Sequence, residues 1–429
     1  MIETESGRDI STAYLTQWFH PEPVSVPVGI AKALRRRGHD VEVLTGAPNY
    51  PSGAVLPGYR ALQWSHEVRD GISVRRVPLV PGHDSSARRR MTNYLSWAFS
   101  ATVFGFRTLR RADVALIYSS PASAALPAMI WRRIARTPYV LLVQDIWPDS
   151  VFATGFLARG AARPIARSGL SWFCSWAYRS AAHIAVISPG AIDLLASRGV
   201  SRDKISLVYN WTDEPQDDQL DPRAARLELG LPPDAFVITY AGNLGPAQGL
   251  DVVIEAADEI RELKDVQVLL AGDGLAAADL RELVRSLGCE NVTLTGPLPR
   301  EKMGLVRSAS DVQLVCLADD PLFRVTMPSK VQAILASGTA AIAIGAGDAA
   351  TVIEESGAGW SVPAGNRTAL AEAFRIARHE SRDALIARGQ AGRAYYRRNM
   401  SEAIGGDRLD TILRVAAGSR RSRAGKGVQ

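Results

Sequence analysis

The strongest constraint on the fold of this chain is a regular alternation of short apolar runs with segments of helical periodicity. The first repeat has an apolar run at 13–18, helical periodicity at 26–37 and a second apolar run at 41–44. Strands that are joined by a helix-length crossover pair in parallel and are buried on both faces, which explains such continuous apolar runs. The sequence therefore predicts an α/β fold built from doubly wound parallel sheets.

The alternation continues through both halves of the chain, so two domains are expected. A length of 429 residues exceeds that of one ordinary domain. Further strands are predicted at 114–118, 139–143, 183–187 and 205–208, and then at 237–241, 266–271, 292–295, 312–317 and 340–344. The predicted parts are a first domain at 1–211, an acidic linker at 212–222, a second domain at 223–399, a C-terminal helix at 400–418 and a disordered basic tail at 419–429.

Charge is distributed unevenly between the two predicted domains. Residues 1–211 contain 25 Lys and Arg against 14 Asp and Glu, a net charge of +11, whereas the rest of the chain contains 25 against 30. A basic domain favours an anionic partner, which is either a nucleic acid or a membrane surface. Because the sequence contains no zinc-finger, RRM-type or KH-type motif, no nucleic acid is expected and the membrane is favoured.

Two stretches of the first domain combine aromatic and basic residues as a membrane interface does. Residues 91–106 carry no charge and are bracketed by arginines, and residues 159–179 interleave aromatic residues with arginines. Aromatic rings settle at the depth of the lipid headgroups and arginines meet lipid phosphates, but the same rings could equally form the domain core. Neither stretch has the length and apolar character of a spanning helix.

The cysteines and acidic residues indicate neither a disulfide framework nor a metal site. Cys174, Cys289 and Cys316 are scattered and odd in number, which fits a reducing compartment. The sequence contains no Asp-x-Asp motif. We therefore expect no metal ion and no cofactor.

A stretch late in the second domain, 323–348, has the pattern of a phosphate-binding loop and helix. Pro328 and Ser329 end a loop and begin a short apolar helix, with Ser329 or its neighbour as the cap, and Gly338 ends that helix before a buried strand. The start of a helix offers N–H groups and the positive end of the helix dipole, and Lys330 lies in the first turn. The sequence predicts that this segment binds the phosphates of a ligand.

The pattern P-S-K-x-x-x-x-x-A-S-G-x-A-A-I-A of this stretch resembles the donor-binding loop and helix of the fourth family of retaining glycosyltransferases. The phrase A-L-R-R-R-G-H-D-V-E-V-L-T at 33–45 resembles the first crossover of the same family, and D-I-W-P-D-S at 145–150 looks most similar to its bacterial transferases of O-antigen, capsule and exopolysaccharide assembly. The resemblance covers nearly the whole chain. It implies the GT-B architecture, in which two Rossmann-like domains face each other across a cleft and the C-terminal helix returns to the first domain.

The resemblance implies that the second domain binds a nucleotide-sugar donor. Two glutamates of the family are replaced here by Arg324 and Gln332, and two bases that clamp the diphosphate are replaced by Asn243 and Gln248. Gln332 keeps an acceptor oxygen for a ribose hydroxyl, whereas Arg324 can only pair with an anion. Lys330 is therefore expected to supply most of the positive charge. The implied phosphate-binding residues are Lys330, Ser329, Gly242, Asn243, Gln248 and Arg324, and the implied nucleotide-binding residues are Gly272, Asp273, Gly274 and Gln332.

In the first domain, the resemblance points to polar residues that follow predicted strands. Gln144 and Asp145 are the candidate catalytic residues, with Asp145 orienting the acceptor or the transferred sugar. His20, Tyr50 and Ser52 are candidates for the acceptor side, because ligands of open α/β sheets bind beyond the carboxyl ends of the strands. An ordinary surface turn is the alternative for Tyr50 and Ser52.

The implied function is metal-independent, retaining transfer of a sugar, expected to be an N-acetylamino sugar from a UDP carrier, in cell-surface polysaccharide biosynthesis. The acceptor would be a polyprenyl-linked or growing glycan, and the leaving phosphate could take its proton, so no nucleophile is required. The protein is expected to be cytoplasmic and peripheral on the inner face of the cell membrane. A nucleotide-sugar 2-epimerase and a non-catalytic partner that binds sugar nucleotides remain as alternatives.

Overall fold

The chain forms two compact units, Met1–Asn210 together with Glu402–Gln429, and Trp211–Ser401. The structure is a computed structural model that describes residues 9–82, 87–153, 163–215 and 220–425.

Parts of three predicted segments lie outside the described residues. These are 159–162 of the second aromatic stretch, 216–219 of the linker and 426–429 of the tail.

The first unit is built on an eight-stranded sheet in the order β3-β4-β2-β1-β5-β6-β7-β8. All neighbouring strands are parallel except β3 and β4, which form a hairpin at one edge. The carboxyl ends of the parallel strands therefore meet at one edge of the sheet, which gathers the loops that follow them. The strands are β1 (Ile10–Leu15), β2 (His39–Gly46), β3 (Ser65–Arg69), β4 (Ile72–Val77), β5 (Val114–Ser119), β6 (Tyr139–Val143), β7 (His183–Val186) and β8 (Ile205–Leu207).

Helices fill the crossovers of the first sheet. The first helix shows why the sequence folds this way, since it turns Pro27, Ile30, Ala31 and Leu34 inward and ends in Arg35 and Arg36, which suit the negative end of the helix dipole. These helices are α1 (Ser25–Arg36), α2 (Ala87–Phe104), α3 (Phe106–Arg111), α4 (Ala125–Ala135), α5 (Asp149–Ala153), α6 (Arg163–Ser180) and α7 (Pro189–Ser197).

The second unit is built on a six-stranded sheet in the order β11-β10-β9-β12-β13-β14, with every neighbouring pair parallel. Two such sheets confirm the predicted α/β fold. The strands are β9 (Phe236–Ala241), β10 (Val266–Ala271), β11 (Val292–Gly296), β12 (Val312–Cys316), β13 (Ala340–Ile344) and β14 (Gly359–Val362). The helices are α8 (Pro222–Glu228), α9 (Asp251–Asp258), α10 (Ala277–Leu287), α11 (Met303–Ala309), α12 (Ser329–Ser337), α13 (Asp348–Glu355), α14 (Arg367–His379) and α15 (Arg382–Asn399).

The last helix, α16 (Glu402–Gly425), packs on the first unit. His39 at the start of β2 places Nε2 2.6 Å from a carboxylate oxygen of Asp410, and Arg37 donates to Asp407 over 2.8 Å. The helix continues to Gly425, so residues 419–425 of the predicted disordered tail are helical. Arg420 donates to the carbonyls of Arg110, Ala112 and Ala135, which holds the helix against the first unit beyond its predicted end at 418.

Candidate functional site

The amino group of Lys330 is buried against the Tyr240 ring in the second unit and has no hydrogen-bond partner among the described residues. Nζ lies 2.9 Å from the centre of the Tyr240 ring, and a Cβ atom added to Gly242 would lie only 3.3 Å from it. Desolvation lowers the pKa of Lys330 to about 7, and the nearby Cys316 thiol opposes that shift. A buried ammonium that lacks an acceptor is costly, so this amine is poised to accept a proton when an anion arrives.

The two glycine turns beside Lys330 interlock backbone against backbone. Gly242 donates its N–H to the Ala271 carbonyl over 2.8 Å, and both turns use glycine with φ near +150° (148° at Gly242 and 147° at Gly272). A Cβ on Gly272 would lie 1.8 Å from the Gly242 carbonyl oxygen, and one on Gly274 would lie 2.4 Å from the Leu244 carbonyl oxygen. Glycine is required at Gly272 and Gly274 for this contact, which brings the predicted phosphate and nucleotide loops together.

The amides at the predicted clamp positions bond to each other. Nδ2 of Asn243 donates to Oε1 of Gln248 over 3.2 Å, and the same oxygen accepts the N–H of Gly245 over 3.1 Å. The Asn243 carbonyl accepts from the Tyr240 hydroxyl over 2.9 Å. Two neutral amides thus hold this loop, and they add no positive charge at the positions where the resemblance implies two bases that clamp a diphosphate.

Three of the predicted site residues, Ser329, Gln332 and Arg324, lie at or near the start of α12. Pro328 occupies the cap position with no side-chain hydrogen bond, and the exposed Ser329 is the first helical residue. Gln332 is only 1% exposed, and its amide nitrogen, assigned from its surroundings, donates to the carbonyls of Pro328 and Ser329. Arg324 is exposed and pairs with Asp319 over 3.2 Å. Gln332 therefore braces the first turn through its amide nitrogen, and the role of its oxygen toward a ribose stays a prediction.

In the first unit, Asp145 follows β6 and accepts a hydrogen bond from the Ser120 hydroxyl over 2.7 Å. Desolvation raises the pKa of Asp145 and the bond from Ser120 opposes this shift, yet the side chain remains accessible to solvent. Its neighbour Gln144 exchanges two amide hydrogen bonds with Asn210, over 3.1 and 2.7 Å. Asp145 is thus available to a ligand, whereas Gln144 ties β6 to the exit of the first unit.

Aromatic residues that the sequence did not single out surround Asp145. The charge of Asp145 contributes to raising the pKa of Tyr94 to about 12 and that of Tyr118 higher still, although desolvation is the larger cause in both. Ring centroids lie 6.1 Å apart for Trp18 and Tyr94 and 6.4 Å apart for Tyr94 and Trp147. Only D-I-W-P-D-S at 145–150 pointed to this region, because Tyr94 and Tyr118 come from elements distant in sequence.

The acceptor-side candidates all lie in loops after β1 and β2. His20 is exposed, and its carbonyl accepts from the buried Arg76. Tyr50 lies close to Trp18, with ring centroids 5.4 Å apart. The Ser52 hydroxyl accepts the N–H of Ala54 over 3.2 Å, which is the bond of an ordinary turn. The fold therefore brings His20 and Tyr50 to one edge of the sheet and gives Ser52 a local role.

The two aromatic and basic stretches divide between core and surface. In α2, Trp97 is fully buried whereas Phe99 is 68% exposed; in α6, Tyr178 is buried whereas Trp172 is 63% exposed. Leu95, Val103 and Phe104 add further exposed apolar surface to α2. One face of each helix therefore belongs to the domain core and the other is exposed; contact of the exposed face with a membrane stays a prediction.

The described parts of the chain contain neither a candidate membrane-spanning helix nor a candidate metal-binding cluster. In those parts, no helix is both long and apolar enough to cross a bilayer. Residues 9–82, 87–153, 163–215 and 220–425 contain no cluster of three or more His, Cys, Asp or Glu side chains that could hold a metal ion.

Two family descriptions match successive parts of the sequence. The family described as Glycosyl transferase 4-like domain matches residues 25–211, and the one described as Glycosyl transferases group 1 matches residues 235–377. The first match contains Tyr50 and Asp145, and the second contains Lys330 and both glycine turns. The two matches therefore include most of the candidate site.

Curated relatives resemble the chain over most of its length. The Putative colanic acid biosynthesis glycosyl transferase WcaI of Escherichia coli (strain K12) is 26% identical over 314 residues, which cover 72% of this chain and 76% of that protein. The Probable glycosyltransferase WbjE of Pseudomonas aeruginosa is 25% identical over 338 residues, which cover 77% of this chain and 82% of that protein.

Solved structures share the fold at low sequence identity. Anabaena Alr3699/HepE in complex with UDP gives a TM-score of 0.68 at 16% identity, covering 95% of this chain and 100% of that chain. WaaG, a glycosyltransferase involved in lipopolysaccharide biosynthesis, gives a TM-score of 0.62 at 14% identity, covering 94% of this chain and 99% of that chain. At such identities the likeness concerns the fold alone.

Proposed function

Because this chain belongs to the glycosyltransferases that combine a Glycosyl transferase 4-like domain with a Glycosyl transferases group 1 domain, we propose that it transfers a sugar from a nucleoside diphosphate donor. The transfer retains the configuration of the sugar. The acceptor is a polyprenyl-linked or growing glycan of a cell-surface polysaccharide. The observation that carries the proposal is the buried amine of Lys330, which has no hydrogen-bond partner in the described chain and lies beside the Gly242 turn.

In the proposed donor site, Lys330 and the start of α12 receive the diphosphate. A phosphate oxygen supplies the acceptor that the amine lacks, and its charge favours the protonated form. The exposed Ser329 and the glycine turns lie beside Lys330. They form the edges of the space that the phosphates and the nucleoside would occupy. Because the amides of Asn243 and Gln248 carry no charge, Lys330 supplies the main positive charge that stabilises the departing diphosphate.

The transfer itself makes and breaks one bond at the anomeric carbon of the donor sugar. The bond from that carbon to the phosphate oxygen breaks, the acceptor oxygen forms the new bond on the same face, and the acceptor proton passes to the leaving phosphate. Asp145 orients a hydroxyl of the acceptor or of the sugar by accepting its hydrogen bond. We propose that the positive charge of Lys330 and the α12 terminus makes a metal ion unnecessary.

The relatives support the finer parts of this proposal. WcaI carries the name of a colanic acid biosynthesis enzyme, and Alr3699/HepE was crystallised with UDP and with UDP-glucose. A uridine nucleotide and a polysaccharide pathway are therefore the first choices. The choice of an N-acetylamino sugar as the transferred group rests on the sequence resemblance alone.

We further propose that the exposed apolar face of α2 and α6 lies against the cytoplasmic face of the cell membrane. Phe99 and Trp172 are exposed, and arginines flank both helices, which suits a surface rich in anionic lipid. Membrane contact would bring the protein to a lipid-linked acceptor. The prediction is that the protein sediments with anionic liposomes at moderate salt and less at high salt.

The test of the function is a melting-temperature and product screen with UDP-, GDP- and dTDP-sugars. A donor raises the melting temperature by binding the folded state, and addition of polyprenyl diphosphate-linked sugars should then yield a glycosylated lipid in the presence of EDTA. Release of a free 2-epimerised sugar nucleotide would favour an epimerase. Binding without any product would favour a non-catalytic partner, and no binding to folded protein would contradict the proposal.

A further inference from the structure

Two loops at the carboxyl edge of the first sheet lie side by side. Residues 16–24 follow β1 and residues 47–64 follow β2, and the Thr45 hydroxyl at the end of β2 donates to the Gln17 carbonyl over 3.0 Å. The first loop carries Trp18 and the second carries Tyr50, whose ring centroids are 5.4 Å apart. The distance between these rings depends on how the two loops are held.

One buried carboxylate holds both loops. Glu22 is only 2% exposed, and its Oε2 accepts the N–H of Phe19 in its own loop over 2.9 Å. Its Oε1 accepts the N–H groups of Asn49 and Tyr50 in the other loop, each over 2.8 Å. Three backbone donors therefore converge on a single side chain, which fixes Tyr50 directly through its own amide.

A buried guanidinium completes the arrangement from β4. Arg76 is 1% exposed and donates to the carbonyl of His20 in the first loop and, over 3.0 Å, to that of Gly46 at the end of β2. Its Nε donates to Glu67 over 2.7 Å, and its positive charge acts on Glu22. Glu22 thus accepts hydrogen bonds from backbone N–H groups at this edge of the sheet, and Arg76 donates hydrogen bonds to backbone carbonyls there.

We infer that Glu22 is a positioning residue for the acceptor. Its hydrogen bonds hold the backbone of Tyr50 against the loop of Trp18, and so fix the relative position of the two rings that an acceptor sugar would contact. Glu22 itself is buried and touches no substrate. Aromatic rings provide a broad apolar face for the C–H groups of a sugar, so a shift of one loop against the other weakens acceptor binding without altering the donor site in the second unit. The inference rests on the proposed function.

The test compares wild type with Glu22→Gln and Glu22→Asp. The glutamine variant keeps the size of the side chain but replaces one acceptor oxygen with an N–H donor that faces backbone N–H groups. The aspartate variant keeps the carboxylate and shortens its reach. The acceptor probe is the polyprenyl diphosphate-linked sugar that wild type glycosylates, and hydrolysis of the UDP-sugar without acceptor reports on the donor site.

The glutamine variant should raise the KM for the acceptor about tenfold and leave donor hydrolysis within about twofold of wild type. The aspartate variant should recover part of the loss. Hydrogen exchange at the amides of Phe19, Asn49 and Tyr50 should accelerate in the glutamine variant. Glu402→Gln, which removes a half-exposed carboxylate paired with Arg36, is the matched control and should change neither rate.

Three results would overturn the inference. An unchanged acceptor KM would show that the register of the loops does not matter, and an equal fall in transfer and donor hydrolysis would indicate general damage. Failure of both variants to fold would make Glu22 a folding residue only. If wild type binds no sugar nucleotide at all, the proposed function fails first, which separates the two outcomes.

Discussion

Lys330 and Glu22 both carry a buried ionisable group, but only Glu22 has hydrogen-bond partners for that group within the described structure. Burial brings the pKa of each to about 7, from above for Lys330 and from below for Glu22. Glu22 accepts three backbone hydrogen bonds. Lys330 faces the Tyr240 ring and has no hydrogen-bond partner in the described structure.

The contrast distinguishes a group that is hydrogen-bonded within the fold from a group that is proposed to bind a ligand. An unsatisfied buried polar group costs about 1–3 kcal/mol, and the cost is larger for a charge. This cost, beside a glycine turn, supports the proposal that Lys330 binds an anionic ligand. The bonded carboxylate of Glu22, by contrast, holds two loops in a fixed position.

The largest expected effect is a loss of donor affinity when Lys330 is replaced. Lys330→Met removes the amine and keeps most of the side-chain volume, so the affinity for a UDP-sugar should fall by about a hundredfold. Isothermal titration of both proteins measures this loss. Lys302→Met, which changes an exposed lysine paired with Glu228, should bind as wild type does, and equal affinity of the Lys330 variant would contradict the phosphate role.

The next effect concerns the ligand-accessible acid of the first unit. Asp145→Asn keeps the shape but removes the charge that orients a hydroxyl, so transfer should slow by roughly 30- to 100-fold. Donor affinity should change little. Steady-state rates with saturating UDP-sugar test this, and Asp203→Asn is the exposed control. Full activity of the Asp145 variant would remove Asp145 from the site.

The free energy of unfolding tests whether the unpaired amine of Lys330 destabilises the fold, in contrast to the hydrogen-bonded carboxylate of Glu22. Without ligand, Lys330→Met should raise the free energy of unfolding at pH 7 by ~1–3 kcal/mol, because the buried amine no longer has to be desolvated. Between pH 7 and the usual lysine value of 10.5, the unfolded wild type binds more protons than the folded form. The stability of wild type therefore rises with pH across this window, and the advantage of the variant should shrink.

Urea unfolding of both proteins at pH 7 and pH 9.5 measures that difference. A variant that is less stable than wild type at both pH values would show that Lys330 contributes to the fold, as Glu22 does, and would remove the contrast between the two residues.

The smallest effect tests the surface of the first unit and leaves both buried groups intact. Phe99→Ser and Trp172→Ser should each weaken binding to anionic liposomes by roughly fivefold, because each removes an exposed aromatic ring from the proposed contact. Leu227→Ser changes an exposed leucine of the second unit and is the control. Equal sedimentation of all variants would assign this face another role.

The sequence predicted the parallel sheets because their strands are continuous apolar runs, and it missed the elements that lack such runs. In β3 half-buried residues alternate with exposed ones, and β14 begins with a glycine, so neither shows a clear buried-strand pattern. Helix α16 was predicted too short, since its last turns depend on contacts with the first unit.

The candidate site could be predicted where one short segment carries its residues, and could not where the fold brings together residues distant in sequence. Lys330 and the glycine turns follow from local pattern. Tyr94 and Tyr118 could not be found in this way, because they reach Asp145 from α2 and β5, and the pattern of Gln332 gave no sign that its amide bonds inside its own helix.

The most direct test of the central claim is to count the protons that the protein takes up when it binds UDP at pH 8. Titration calorimetry in buffers of different ionisation enthalpy gives this number. If Lys330 is held largely neutral, with a pKa of about 7, and becomes charged against the diphosphate, wild type should take up about 0.9 proton per UDP, and any binding that Lys330→Met retains should take up none. Tight binding of UDP to wild type without proton uptake would contradict the account.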